Sequence, residues 1–244
     1  MTPLLATLAS AVAAGSPQRA AAEVASAVAV APGQTQELYD QILAYRFQYP
    51  VSTTSGEPLK MLLTHPPEKY SSAAPLTADA RQRIVSELLE LRKFVNINVC
   101  VGPASGVLKD SPPESWKPLD VALTVLIDRS TSRLTTGQRF ALNDVEEAHA
   151  EQRPSGTYFV YEHRSQGSPT NLSAGKESFR HALAVTGVRP DGTGTPFLYT
   201  LNLSCREEMW STLQPLFKNA VDSFVLEAPT DKYISPDTRP WQFW

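Results

Sequence analysis

Residues 197–224 read FLYTLNLSCREEMWSTLQPLFKNAVDSF, and this stretch decides the fold. Its first part is a strand pattern, because Tyr199, Leu201 and Leu203 share one face at a spacing of two residues. The strand is predicted over residues 197–203 and is the element around which the rest of the chain is organised.

An amphipathic helix is predicted directly after this strand, beyond a turn at residues 204–207. Its apolar residues recur at three- and four-residue steps: Trp210, Leu213, Phe217, Val221 and Phe224. Pro215 lies inside the pattern and is expected to bend or split the helix. A strand followed at once by such a helix lays the helix across a sheet, so the sequence predicts an α+β domain.

Composition sets the broad class. At 244 residues the chain is long enough for one domain with tails. Its net charge of −3, without any basic run, argues against nucleic acid as a partner. The two cysteines, Cys100 and Cys205, are too few for a disulfide scaffold or a cysteine-rich zinc site. Strand parity places them on opposite faces of the sheet, so no disulfide between them is expected.

The first 33 residues are predicted to lie outside the fold. Residues 3–14 form an apolar and small-residue run of signal-peptide size, and residues 27–31 offer small-x-small cleavage patterns. No lysine or arginine precedes the run. Two interpretations stay open, a targeting leader and a disordered alanine-rich segment.

The middle of the chain supplies the remaining elements. Alternation and turn residues predict strands over 43–49, 95–101, 158–165 and 179–188, the last two paired antiparallel. A short strand over 59–63 is expected to partner the first one. Helices are predicted over about 78–91, with Thr77 as N-cap, and for about ten residues after Pro118. Residues 140–150 fit a strand and a helix equally well.

Several motifs occur in an order that resembles the PsbP family. Tyr45-Arg46-Phe47-Gln48-Tyr49-Pro50 is similar to the Phe-x-Tyr-Pro opening of that family. The closing order is also similar, with residues 158–162, 179–181 and 198–202, then Trp210 and residues 220–224. The resemblance spans about residues 35–228.

The resemblance implies an α/β/α sandwich around a central, largely antiparallel sheet. It divides the chain into a leader (1–33), a PsbP-like domain (34–228) and an aromatic C-terminal tail (229–244). The helix-bearing segment 71–93 and the tail resemble PsbP-domain assembly factors more than the oxygen-evolving-complex subunit.

The function that the resemblance implies is that of a non-enzymatic auxiliary or assembly factor in the chloroplast thylakoid lumen. It would serve photosystem I assembly or photosystem II oxygen evolution. It would be peripheral to the membrane and act by contact with photosystem core subunits on the lumenal side.

An enzyme reading finds little support in the motifs. The segment 102–106 reads Gly-Pro-Ala-Ser-Gly, so Ser105 stands one position late for a nucleophile elbow and has no neighbouring histidine. A hydrolase would require a serine close to a histidine in the fold.

Metal or small-ligand binding is the alternative function. His163 and His181 lie on strands predicted to pair, with Glu162 and Glu177 nearby in sequence. Across such a pair, two imidazoles and a carboxylate could hold calcium or another divalent ion. In the competing interpretation no cofactor binds, His181 is hydrogen-bonded within the sheet and His163 is solvated. A binding module would show a polar pocket containing His163 or His181.

The tail ends in Trp241, Phe243 and Trp244. Aromatic residues are unusual in a disordered terminus, because they gain much free energy from burial. The tail is therefore predicted to dock, either on its own domain or on a partner.

Overall fold

The computed structural model describes residues 31–65, 82–134, 143–166 and 179–236. Within these ranges the chain forms ten strands, two α-helices and three short 3-10 turns. The strands are β1 (Thr35–Asp40), β2 (Tyr45–Pro50), β3 (Leu62–His65), β4 (Arg83–Glu90), β5 (Val95–Pro103), β6 (Asn143–Arg153), β7 (Gly156–Gln166), β8 (Phe179–Pro190), β9 (Pro196–Arg206) and β10 (Val225–Leu226). The helices are α1 (Pro118–Leu134) and α2 (Trp210–Ser223), and the 3-10 turns are Gly106–Leu108, Pro113–Ser115 and Glu207–Met209.

Seven strands form the main sheet, in the order β3-β4-β5-β9-β8-β7-β6. Every neighbouring pair in it is antiparallel, and β9 occupies the middle position. A second, three-stranded sheet has the order β1-β2-β10. The predicted α+β class with a largely antiparallel sheet is confirmed, as is the pairing of β7 with β8.

Alternation along β9 divides the core into two layers. Leu201 and Leu203 point to the side covered by α2 and the small sheet, where they join the largest hydrophobic cluster. Leu198 points to the other side, where α1 packs through Val121 and Val125. The main sheet therefore carries one helix on each face, which is the predicted α/β/α arrangement.

The strand predicted over residues 197–203 is longer in the structure. β9 continues to Arg206, and the chain then passes through the 3-10 turn Glu207–Met209 into α2. Pro215 does not split α2, which is a single helix. The proline ring lies on the exposed side, so the buried stripe runs past it uninterrupted.

The helix predicted over 78–91 is wrong. Residues 83–90 are strand β4, paired with β5, and residues 78–81 lie outside the described ranges. A bulge between Ile84 and Ser86 shifts the alternation by one residue, so adjacent side chains Val85 and Ser86 are both buried. This bulge hides the two-residue period of the strand, and Leu91, which completed the helical pattern, is 62% exposed.

Other predictions need smaller corrections. The short strand begins at Leu62 and pairs with β4 of the main sheet, so it is not a partner of the first predicted strand. That strand, β2, pairs instead with β1 and β10, which the sequence patterns did not reveal. The ambiguous segment 140–150 is strand from Asn143, and α1 is 17 residues long rather than about ten.

Cys100 and Cys205 are buried free thiols. Cys205 belongs to the cluster under α2, whereas Cys100 lies on the opposite face and its Sγ is 3.5 Å from Asn98 Oδ1. The parity argument against a disulfide therefore agrees with the structure.

The described part of the tail docks on the domain itself. The Ile234 amide donates to the Ile42 carbonyl at 2.8 Å, and the Arg189 guanidinium lies 5.3 Å from the ring centres of both Tyr199 and Tyr233. The leader up to residue 30 and the tail residues Trp241, Phe243 and Trp244 lie outside the described residues. Among the helices of the described ranges, neither has the length and apolarity required to cross a membrane.

We predict that Phe224→Ala strongly destabilises the fold. Phe224 is fully buried, and its ring contacts Tyr45 and Phe47 of the small sheet as well as Tyr158 of the main sheet. Truncating such a residue costs about 3–5 kcal/mol of unfolding free energy. Urea denaturation measures the loss.

The matched control is Tyr39→Ala, an aromatic residue of the small sheet that is 41% exposed. We expect it to change the unfolding free energy by only about 0.5 kcal/mol. Equal losses in the two variants would contradict the role given to Phe224 in joining the two sheets.

Candidate functional site

His181 on β8 is the centre of a charged cluster on the side of the sheet that faces α2. Its imidazole is buried, and a carboxylate faces each ring nitrogen. Nε2 lies 2.6 Å from Glu162 Oε1, and Nδ1 lies 3.2 Å from Glu207 Oε2. Glu162 comes from the adjacent strand β7, and Glu207 from the 3-10 turn after β9.

Trp210 fixes the plane of this imidazole. The two rings are stacked, with centroids 3.7 Å apart and an interplanar angle of 9°. Trp210 opens α2, so the helix and the cluster hold each other in place. The indole is half-buried at the edge of the core rather than fully enclosed.

Glu146 and Arg164 complete the cluster. Glu146 Oε2 is 3.5 Å from His181 Nε2, and its Oε1 accepts from Arg164 Nε at 2.7 Å. Arg164 also lies 3.4 Å from Glu207. Glu146 occupies the bulge between Val145 and Glu147 on β6, and the sequence patterns missed it because they left residues 140–150 ambiguous.

The structure does not bring the two candidate ligands His163 and His181 together. His163 is opposite Ala182 in the sheet register while Arg164 is opposite His181, so the two imidazoles point to opposite faces. His163 is also buried rather than solvated, with Nε2 3.0 Å from Asn202 Oδ1. The hydrogen-bonded His181 within the sheet is confirmed, and Glu177 lies outside the described residues.

The cluster has the geometry of a small ligand set. One donor atom each from Glu146, Glu162 and His181 lies within 4.8 Å of the others. Two carboxylates and an imidazole can hold a divalent ion, although Arg164 supplies a positive charge that competes for Glu146.

Ser105 shows no hydrolase geometry. Its Oγ donates to Asp128 Oδ2 at 2.5 Å, where the hydrolase hypothesis required a histidine.

Comparison with known proteins gives one consistent answer. A sequence profile of the PsbP family matches residues 95–226. The chloroplastic PsbP domain-containing protein 5 of Arabidopsis thaliana is 38% identical over 208 residues, which cover 85% of this chain and 68% of the relative. The solution structure of cyanobacterial PsbP (CyanoP) from Synechocystis sp. PCC 6803 aligns with a TM-score of 0.51 at 19% identity. That alignment covers 83% of this chain and 98% of the other, and it concerns the fold alone.

We predict that Trp210→Ala lowers the unfolding free energy by about 2–3 kcal/mol. This loss is smaller than for a fully buried tryptophan because Trp210 is only half-buried, and it includes the lost stacking on His181. Trp210→Phe keeps an aromatic ring over the imidazole and is expected to lose about 1 kcal/mol. Chemical denaturation of both variants checks this, and an unchanged midpoint for Trp210→Ala would show that the stack adds no stability.

Proposed function

Because this chain belongs to the PsbP family, we propose that it is a non-enzymatic auxiliary or assembly factor for a photosystem. The observation that carries the proposal is the 38% identity to the Arabidopsis relative across 85% of this chain. That relative is named as a chloroplastic protein, which supports a chloroplast location here. We place the protein more narrowly in the thylakoid lumen, peripheral to the membrane, and serving photosystem I assembly or photosystem II oxygen evolution.

An exposed apolar stripe on α1 supports action by protein contact. Leu119, Leu123 and Ile127 follow one another at four-residue steps and are 49%, 40% and 61% exposed. Val107, in the 3-10 turn that packs against α1, is 69% exposed. Exposed apolar groups of this kind mark contact surfaces, so we assign lumenal segments of photosystem core subunits as the partner. Trp241, Phe243 and Trp244 are proposed as further partner contacts.

A capture experiment tests this function. The tagged full chain is incubated with detergent-solubilised thylakoids, and the bound membrane subunits are identified by mass spectrometry. The double variant Leu119→Gln/Leu123→Gln is expected to recover about tenfold less photosystem core, because it makes two of the three stripe residues polar and a few residues carry most of the binding energy of an interface. Capture of no photosystem subunit by the wild-type chain would contradict the proposed function.

The matched control is Leu62→Gln/Leu63→Gln. These leucines are 51% and 48% exposed, similar to the α1 pair, but they lie on the edge strand β3. We expect this control to recover photosystem subunits like the wild type. Equal recovery by both double variants would leave the function standing and would remove α1 as its contact surface.

Divalent-ion binding is a second candidate function, favoured by the cluster of Glu146, Glu162 and His181. An imidazole ligand suits zinc better than calcium, which prefers six to eight oxygen ligands. The ion would replace Arg164 as the positive neighbour of Glu146, so binding would be accompanied by movement of that arginine.

Calorimetric titration of the full chain with Zn²⁺ tests this candidate. Glu162→Gln is expected to weaken binding at least about tenfold, because a lost ligand charge costs more than a neutral hydrogen bond. Glu147→Gln, which alters a neighbouring carboxylate that is 74% exposed and outside the cluster, should leave the affinity unchanged. Absence of a Glu162-dependent site would exclude the metal function while leaving the partner-contact function untouched.

A further inference from the structure

A cavity of about 270 Å³ lies on the face of the main sheet opposite to the His181 cluster. Its polar floor comes from β5, β7, β8 and β9: Asn98, His163, Ser165, Arg180, Asn202 and Ser204. Its mouth is apolar, with Leu126 from α1 and Leu91 and Phe94 from the β4–β5 turn. This is the polar pocket containing His163 that the small-ligand alternative requires.

Packing of a helix on a sheet requires apolar side chains beneath the helix, and the floor of this cavity is polar. Farther along the same face, α1 covers apolar side chains such as Phe159, Leu198 and Ala184. In the cavity the equivalent positions hold Asn98 and Asn202, only 2% and 3% exposed. Asn98 donates to Asn96, and Asn202 Oδ1 is paired with His163, but burying amides under a helix still costs free energy that apolar residues would avoid. The polar floor therefore fits a surface that receives a polar ligand.

Arg180 is the main cationic group of the floor. Its Nη2 donates to the carbonyls of Ser204 and Phe94, each at 2.9 Å, and Nε is 3.3 Å from Ser204 Oγ. These partners are neutral, and within the described part of the chain no carboxylate forms an ion pair with Arg180. Its Nη1 makes no hydrogen bond to any described residue. Burial lowers the pKa of Arg180, which reflects the cost of holding an unpaired cation in this position.

Asn202 adds a second donor. Its Oδ1 faces His163 Nε2, and its Nδ2 makes no hydrogen bond to another described residue. Glu90 also lines the cavity, but its carboxylate accepts the backbone N–H of Lys93 and so caps the β4–β5 turn. Because its lining contains one arginine and one carboxylate, the cavity suits a singly charged anion better than a doubly charged phosphate.

Phe94 at the mouth has an unusual backbone. Its φ is +55°, in the left-handed region that bulky residues rarely adopt and that glycine would occupy without strain. Phe94 is 47% exposed. The Arg206 guanidinium lies 3.6 Å from the centre of its ring, and its carbonyl accepts a hydrogen bond from Arg180. The turn itself does not require an aromatic residue at position 94, whereas the apolar part of a ligand would pack against one.

We propose that this cavity binds a small monocarboxylate with an apolar or aromatic body. The carboxylate is received by Arg180 Nη1 and Asn202 Nδ2, because arginine and carboxylate match in charge and geometry. The body lies against Phe94 and Leu126 at the mouth. The volume is just below the range of about 300–1,000 Å³ for drug-sized ligands, which restricts the ligand to a compact acid.

The test uses sodium benzoate as the probe and the amide NMR spectrum of the full chain as the readout. Benzoate is expected to cause saturable shifts at the amides of Asn98, Asn202 and Ser204. Benzamide has the same shape without the charge, and acetate has the charge without the ring. Both are expected to bind at least about tenfold more weakly, since each lacks one of the two interactions.

Two substitutions in the floor test the assignment of the donors. Asn202→Asp keeps the side-chain shape but adds a negative charge beside Arg180, and Arg180→Gln removes the positive charge. Each is expected to weaken benzoate binding at least about tenfold. Arg164→Gln removes an arginine from the opposite face and should bind like the wild type. If Arg180→Gln does not fold, Asn202→Asp still decides the question.

Phe94→Gly separates the ligand role from the turn role. Glycine relieves the left-handed strain, so the variant should be at least as stable as the wild type in urea while binding benzoate more weakly. Unchanged benzoate affinity in Phe94→Gly would contradict the assigned mouth. The proposal is overturned if benzoate gives no saturable shifts, if benzamide binds equally well, or if Asn202→Asp retains wild-type affinity.

Discussion

The burial of β9 on both of its faces is the constraint on which the rest of the structure depends. Every residue from Phe197 to Cys205 is buried, and β9 has β5 on one side and β8 on the other. A strand in this position needs cover above and below, because its side chains alternate between the two faces. Helix α2 and the small sheet cover one face, and α1 covers the other.

This alternation also separates the two candidate sites. One face of β8 presents His181 to Glu162, Glu207 and Trp210 beneath the start of α2. The neighbouring residue Arg180 belongs to the cavity beside α1 on the opposite face. Adjacent residues of a single strand thus supply two chemically different environments, one that favours a cation and one that favours an anion. The exposed stripe on α1 is a third feature, on the outside of the helix.

The elements that sequence predicts well are those whose periodicity is uninterrupted. The alternation of Val95, Ile97 and Val99 and the apolar stripe of α2 both match the structure, and the parity of the cysteines follows from the same strands. Bulges explain two of the failures. A bulge in β4 made a strand resemble a helix, and a bulge in β6 carries Glu146 into the His181 cluster.

Other features depend on tertiary contacts that no local pattern records. β10 has two residues and exists because Val225 and Leu226 pair with β2. The separation of His163 from His181 depends on the register between β7 and β8, since a one-residue change would exchange the faces. The cavity joins residues from five strands, a turn and a helix, so its floor could be recognised only after the sheet order was known.

Amide hydrogen exchange of the native full chain tests the central claim most directly. If β9 is the element on which the others depend, its amides should be among the slowest in the protein and exchange only through global unfolding. The edge strands β3 and β6 should exchange faster, through local opening. Amides of β9 that exchange as fast as those of the edge strands would contradict the account.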